Sequence, residues 1–198
     1  MPEVVYRHPV GASVEQVWDF VKDIHNWAPM MTGYQSHEEK SDRHSIWVLK
    51  GDVGMLSRTV TLDVKITDWS GPDRVAFELE GIGEAVTGGG AFEILPLVPE
   101  GMAEASPEPT PEPPPLSFFA RLLRRVFGFL YRRKYGVIAA PASDVVPDSQ
   151  LVFTWRMEAG GPTAPLVNAM LGPAMAPAAE NLAAQIGAAV EAKAAASP

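Results

Sequence analysis

No cysteine occurs among the 198 residues, which excludes disulfides, thiolate metal sites and cysteine nucleophiles and fits a reducing compartment. Bases are scarce relative to acids, 16 against 24, and the net charge of -8 excludes general nucleic-acid binding by the chain as a whole. The start, MPEVVYRH, lacks the basic-then-apolar pattern of a secretory leader, so a cytoplasmic protein is expected. The longest uncharged run, 21 residues between Glu158 and Glu180, is interrupted by Pro162, Pro165, Asn168, Gly172, Pro173 and Pro177. A membrane span would break there, and a kinked, buried terminal helix is the expectation. The four histidines follow no HxxxH or HExxH spacing, which gives no metal site from sequence. Gly88-Gly89-Gly90 has no following Lys-Ser/Thr pair and Gly81-Ile82-Gly83 stands alone, so neither is a phosphate loop. No cofactor is expected.

What is present is a core former, with 46% apolar and 20% charged residues, enough for one domain and an appended segment. Residues 3–8 read as a strand. Ser13 and Gln16 have the spacing of a capping box, and Val14, Val17, Trp18 and Val21 form an apolar stripe on a helix reaching Asp23. Residues 24–31 continue as a short irregular turn or second helix, stopped near Pro29 and Gly33. From Tyr34 the period is two. Val60, Leu62, Val64 and Ile66 alternate with polar neighbours, as do Val75, Phe77 and Leu79, and later Leu151, Phe153, Trp155 and Met157. This pattern predicts an antiparallel meander of six or seven strands with one covered face. Ser70-Gly71-Pro72-Asp73 and Gly88-Gly89-Gly90 are expected turns.

The domain, residues 1–98 and 147–196, is interrupted. Residues 99–115 form an expected stiff Pro/Glu-rich tether, within a 96–115 stretch that holds eight prolines. Residues 116–136 follow with six bases and no acid. On a helical wheel Phe119, Leu122 and Phe127 fall on one face, opposite Arg121, Arg124, Arg125 and Arg132, with Arg133 next in the chain. Such a helix suits an anionic membrane surface or a partner protein, or else packs on its own domain.

The order of strand, capped helix, short second helix, antiparallel meander and long terminal helix resembles the helix-grip fold of the SRPBCC (START/Bet v 1-like) superfamily. The segments Ser13-Val14-Glu15-Gln16-Val17-Trp18, DIHNWAPMM (residues 23–31) and Gly33 are similar to the opening of two kinds of member, those like the G subunit of carbon monoxide dehydrogenase and those like polyketide cyclases. The resemblance spans residues 2–98 and 148–195; the insert and the proline content of the terminal segment depart from it. It implies an α+β helix-grip architecture, a curved antiparallel sheet wrapped around a long C-terminal helix. An apolar cavity for a lipid, quinone, sterol or polyketide would lie between them, with the insert near its mouth.

The residues expected to contact an apolar ligand are Trp18, Trp27, Met30, Trp47, Leu62, Val64, Phe77, Phe92, Phe153, Trp155, Leu166 and Met170. Met175 and Leu182 are expected to face the same inward sheet surface. No catalytic residue is assigned. Asp63 and Glu78 take the outward strand phase, His37 and His44 fall in an expected exposed hairpin, and Tyr34 and His25 are the remaining acid–base candidates, with His25 the best of them. The expected function is binding or transport of an apolar small molecule, beside a membrane or as accessory to a membrane-associated oxidoreductase. The alternatives are a polyketide cyclase or dehydratase-like enzyme and an adaptor acting through the basic helix.

Overall fold

The computed structural model describes residues 1–53, 56–97 and 146–196. The expected tether (99–115) and basic helix (116–136) lie outside the described residues.

Among the described residues seven strands build one antiparallel sheet in the order β1-β7-β6-β5-β4-β3-β2. They are β1 (Glu3–Val10), β2 (Tyr34–Ser41), β3 (His44–Val53), β4 (Leu56–Ser70), β5 (Arg74–Gly81), β6 (Val86–Pro96) and β7 (Ser149–Ala159). Strands β2 to β6 follow one another as a meander. The first strand pairs instead with the last, Glu3 opposite Arg156 and Val10 opposite Ser149. Register shifts between Ile66 and Asp68, and twice in β2, sharpen the local twist of the sheet.

Helix α1 (Val14–Val21) starts at the capping box read from the sequence. Ser13 Oγ accepts from the Gln16 backbone N–H, and the Gln16 side chain accepts from the Ser13 N–H. A one-turn helix, α2 (Ile24–Trp27), is capped by Asp23 and runs into a 3-10 turn over Ala28–Met30. The long helix α3 (Ala164–Ala196) closes the fold.

Gly88, Gly89 and Gly90 are the largest departure from the sequence reading. They do not turn the chain but lie inside β6, opposite Met157, Arg156 and Trp155. A Cβ at these positions would fall 2.4, 2.5 and 2.3 Å from the carbonyl oxygens of Arg156, Phe77 and Thr154. Only glycine lets β5, β6 and β7 approach so closely, which is why a triplet with turn composition sits in a strand. The β5–β6 turn falls earlier, around Gly83, whose φ of 73° suits glycine.

Pro173 and Pro177 lie inside α3 without ending it. Burial is concentrated beyond them, at Met175, Ala179, Leu182, Ala183, Ala184, Ile186, Gly187 and Val190. The run of small residues brings the helix down on β1 and β7, with further contact to α1. At the tightest point a Cβ on Gly187 would stand 2.8 Å from the imidazole of His8. The side chains of Leu182 and Ile186 are almost wholly buried, and each contributes about 1.5–3 kcal/mol. Two sets of hydrogen bonds fix the ends of this packing. Glu191 Oε1 accepts from the Gly11 N–H at 2.8 Å, and the Asn168 amide bonds both the N–H and the C=O of Ala159, at 2.8 and 3.0 Å.

His8 is buried beneath α3, and its burial holds the imidazole below the usual histidine range, partly opposed by the Glu191 carboxylate. A histidine kept neutral in the folded state binds its proton more readily when unfolded. Its contribution to stability is therefore present above the ordinary histidine pKa and is lost as pH falls through the lower folded value. Urea midpoints should drop between about pH 7 and about pH 5 more steeply in the native chain than in His8→Gln, and parallel profiles would show that His8 does not carry this dependence.

Candidate functional site

An apolar cavity of about 50 Å³ lies between the sheet and the α1–α2 corner. Its lining follows from strand phase. Ser45, Trp47 and Leu49 come from β3, Leu62, Val64 and Ile66 from β4, Val75, Phe77 and Leu79 from β5, Phe92 from β6, and Phe153, Trp155 and Met157 from β7. Alternate residues of each strand point to one face, so the five strands present a continuous hydrocarbon surface. The opposite wall is Val21, Lys22, Ile24, Trp27 and Met31.

The corner that makes this wall is held by its own polar groups. Trp27 Nε1 donates to the Val21 carbonyl at 2.9 Å, and Asn26 Nδ2 donates to that of Phe20 at 2.9 Å. These bonds satisfy orphan carbonyls at the end of α1 and turn the chain through α2. The Trp27 ring then lies 5.0 Å from Phe92 and 5.6 Å from Trp47, centroid to centroid. Phe92 and Phe153 stack at 4.6 Å.

Among the described residues eighteen line the cavity, and two of these are polar. Ser45 Oγ is buried and accepts from Trp47 Nε1 at 2.8 Å, which leaves the serine hydroxyl proton available. Lys22 pairs its ammonium with Asp19 at 2.6 Å and offers the cavity its aliphatic stem. Such a lining excludes water from an apolar guest, and among the described residues it supplies no positioned carboxylate or imidazole.

Of the residues expected at a ligand, Trp27, Trp47, Leu62, Val64, Phe77, Phe92, Phe153 and Trp155 line the cavity. Trp18 instead packs edge-on to Trp69 over the β4–β5 turn. Met30 packs on the core, and its carbonyl accepts from Gln185 at 3.2 Å. Leu166 is 67% exposed and Met170 half-buried, because the first half of α3 lies away from the cavity. Met175 and Leu182 are buried against β1 and β7 and do not line it. Strand phase alone implicates Ser45, Leu49, Ile66, Val75, Leu79 and Met157; the α1–α2 residues carry no comparable signal.

The histidines fall elsewhere. His44 lies at the start of β3 and pairs with Asp63 at 2.9 Å on the outward strand phase. His37 is not in the hairpin but in the middle of β2, where its ring stacks on Trp47 at 5.6 Å and its Nδ1 lies 2.8 Å from the Tyr34 hydroxyl. Burial, and then the neighbouring His25, hold His37 below the usual histidine range. His25 projects from α2 toward it, with ring centroids 4.8 Å apart.

An open antiparallel sheet closed by a capped helix corner and a long terminal helix, with an apolar interior, is a helix-grip architecture, similar to that of the SRPBCC (START/Bet v 1-like) superfamily. Within it the chain is CoxG-like: residues 8–103 match the family model of the carbon monoxide dehydrogenase G subunit (CoxG). No curated protein matches the chain. Similar solved structures include a conserved protein from Geobacillus kaustophilus, with TM-score 0.59, 16% identity and coverage of 97% of this chain and 95% of that one. A protein from Deinococcus radiodurans gives 0.53, 13% identity and coverage of 96% and 98%. One from Thermus thermophilus gives 0.52, 14% and coverage of 95% and 99%. At these identities the likeness is one of fold. The fold and the family match fit a hydrophobic ligand-binding architecture. No described helix is long and apolar enough to cross a membrane.

The Trp27 bond is the fastening of the inner wall. Trp27→Phe keeps the ring contacts but leaves the Val21 carbonyl without its partner, at an expected cost of about 1–3 kcal/mol in chemical denaturation; an unchanged midpoint would mean that the bond holds nothing.

Proposed function

We propose that this protein binds an apolar small molecule, a lipid, quinone or similar, in the cavity beneath the α1–α2 corner. The observation that carries this reading is the lining, sixteen of its eighteen described residues being apolar and the rest a hydrogen-bonded serine and a lysine stem. The volume of about 50 Å³ is well below the roughly 150 Å³ that suffices for a benzene-sized guest. Binding therefore widens the cavity. The parts that can give are the short α2, held by a few bonds, and the unbranched side chains of Met31 and Met157, which repack at low cost.

Exchange takes place beside a membrane or a membrane-associated oxidoreductase. Its support is the sequence of residues 116–136, whose six bases and apolar positions suit an anionic surface. A cyclase-like activity would need a titratable group inside the cavity. Lys22, the single ionisable residue among the described lining residues, is already paired with Asp19.

Native mass spectrometry of the purified protein should show a bound lipid or quinone, or binding of one from a defined panel. Filling the cavity in Met157→Trp should weaken that binding at least tenfold while the circular dichroism spectrum stays native. A panel in which nothing binds the unmodified chain would end the reading. Separately, the unmodified chain should sediment with anionic liposomes but not with neutral ones, and Arg124→Glu with Arg125→Glu should abolish that sedimentation. Equal sedimentation of the unmodified and doubly substituted chains would remove the membrane part of the proposal.

A further inference from the structure

The strongest feature outside the cavity is a group of side chains joining α2 to β2. His25 comes from the short helix, and His37 and Glu39 from the strand. Two residues apart in β2, His37 and Glu39 share a strand face, and Asp23 caps α2 in the position that turns His25 toward them. One ligand-type atom from each of His25, His37 and Glu39 lies within 4.8 Å of the others, and this is the one such group among the described residues.

We infer that His25, His37 and Glu39 form a binding site for a divalent transition-metal ion of the zinc type.

The distances support coordination beyond simple proximity. Two ligands on one tetrahedral zinc ion, with bonds of about 2.0–2.2 Å, stand roughly 3.4 Å apart. His25 Nδ1 and Glu39 Oε1 are 3.5 Å apart already. The remaining gap to His37 closes by rotation of exposed side chains, since those of His25 and Glu39 are 61% and 48% accessible. Around the group are the contacts that orient metal ligands. The Tyr34 hydroxyl lies 2.8 Å from His37 Nδ1, which leaves Nε2 for the ion, and the Trp47 ring stacked on His37 fixes its plane. Asp23 Oδ1 lies 3.1 Å from the same His25 Nδ1, so it gives up that contact when the nitrogen ligates and leaves its negative charge beside the ion. Two imidazoles and one carboxylate leave a fourth position for water, and the donor set suits zinc better than calcium or magnesium.

The ion would act as a clip. It joins the helix whose Ile24 and Trp27 wall the cavity to the strand whose His37 backs Trp47 on the sheet side. The site stands independently of whether an apolar molecule enters the cavity.

Isothermal titration of metal-free full-length protein with Zn²⁺ near pH 7.5 should give one ion per chain with micromolar affinity. Affinity should fall at least tenfold in His25→Ala, His37→Ala and Glu39→Gln, each checked for native circular dichroism, and remain unchanged in His44→Ala. Because Trp47 stacks on His37, saturation should also shift tryptophan fluorescence. Absence of saturable binding, or binding that survives His25→Ala with His37→Ala, overturns the inference whatever the lipid experiments return.

Discussion

One continuous hydrocarbon face runs across β3 to β7, and every other part of the fold answers the need to cover it. The terminal helix is too narrow for the task. An α-helix with its side chains spans about 10–12 Å, roughly two strand spacings, and α3 lies over β1 and β7. The middle of the sheet is left to the α1–α2 corner, a much smaller element whose fit is looser. Close packing under the long helix and a void under the short corner are thus two results of the same shortage of cover.

This division also separates stability from function. Small residues in the second half of α3, with Gly187 seated on His8, allow a contact that tolerates no added atom. The cavity wall is different in kind: a one-turn helix, a 3-10 turn and a few side chain-to-carbonyl bonds. Local opening free energies are lowest where few buried contacts hold a segment, and such segments are the ones ligand-binding proteins move. In this CoxG-like arrangement, the element that the proposed binding of a guest would displace is one that can move without disturbing the helix that holds β1 to β7.

The architecture was largely legible in the sequence because its signals are local. The capping box at Ser13 and Gln16, the alternation from Val60 to Ile66 and the β7 pattern from Leu151 to Met157 each identify an element without reference to any other. Eight of the twelve residues expected at a ligand line the cavity for the same reason, since phase on a strand selects a face. What was not legible depends on neighbours remote in sequence. Gly88-Gly89-Gly90 has the composition of a turn, and only the backbones of β5 and β7 explain its place in a strand. Leu166 and Met170 share composition with the buried half of α3 and differ only in what lies beneath them. The meeting of His25 with His37 is set by the angle between a one-turn helix and a strand, which no residue spacing encodes.

The pairing of β1 with β7 has a consequence for how the molecule is made. Glu3 finds its partner at Arg156, so the first strand of the sheet to leave the ribosome waits for the last. At translation rates of about 5–20 residues per second, that interval is roughly eight to thirty seconds. Throughout it the inward side chains of Val4, Tyr6, His8 and Val10 have neither their neighbouring strand nor α3 above them. Nascent chains of this topology are therefore natural clients for chaperone holding during synthesis, and a stalled or truncated product would present a sticky, unpaired strand instead of a partly finished domain.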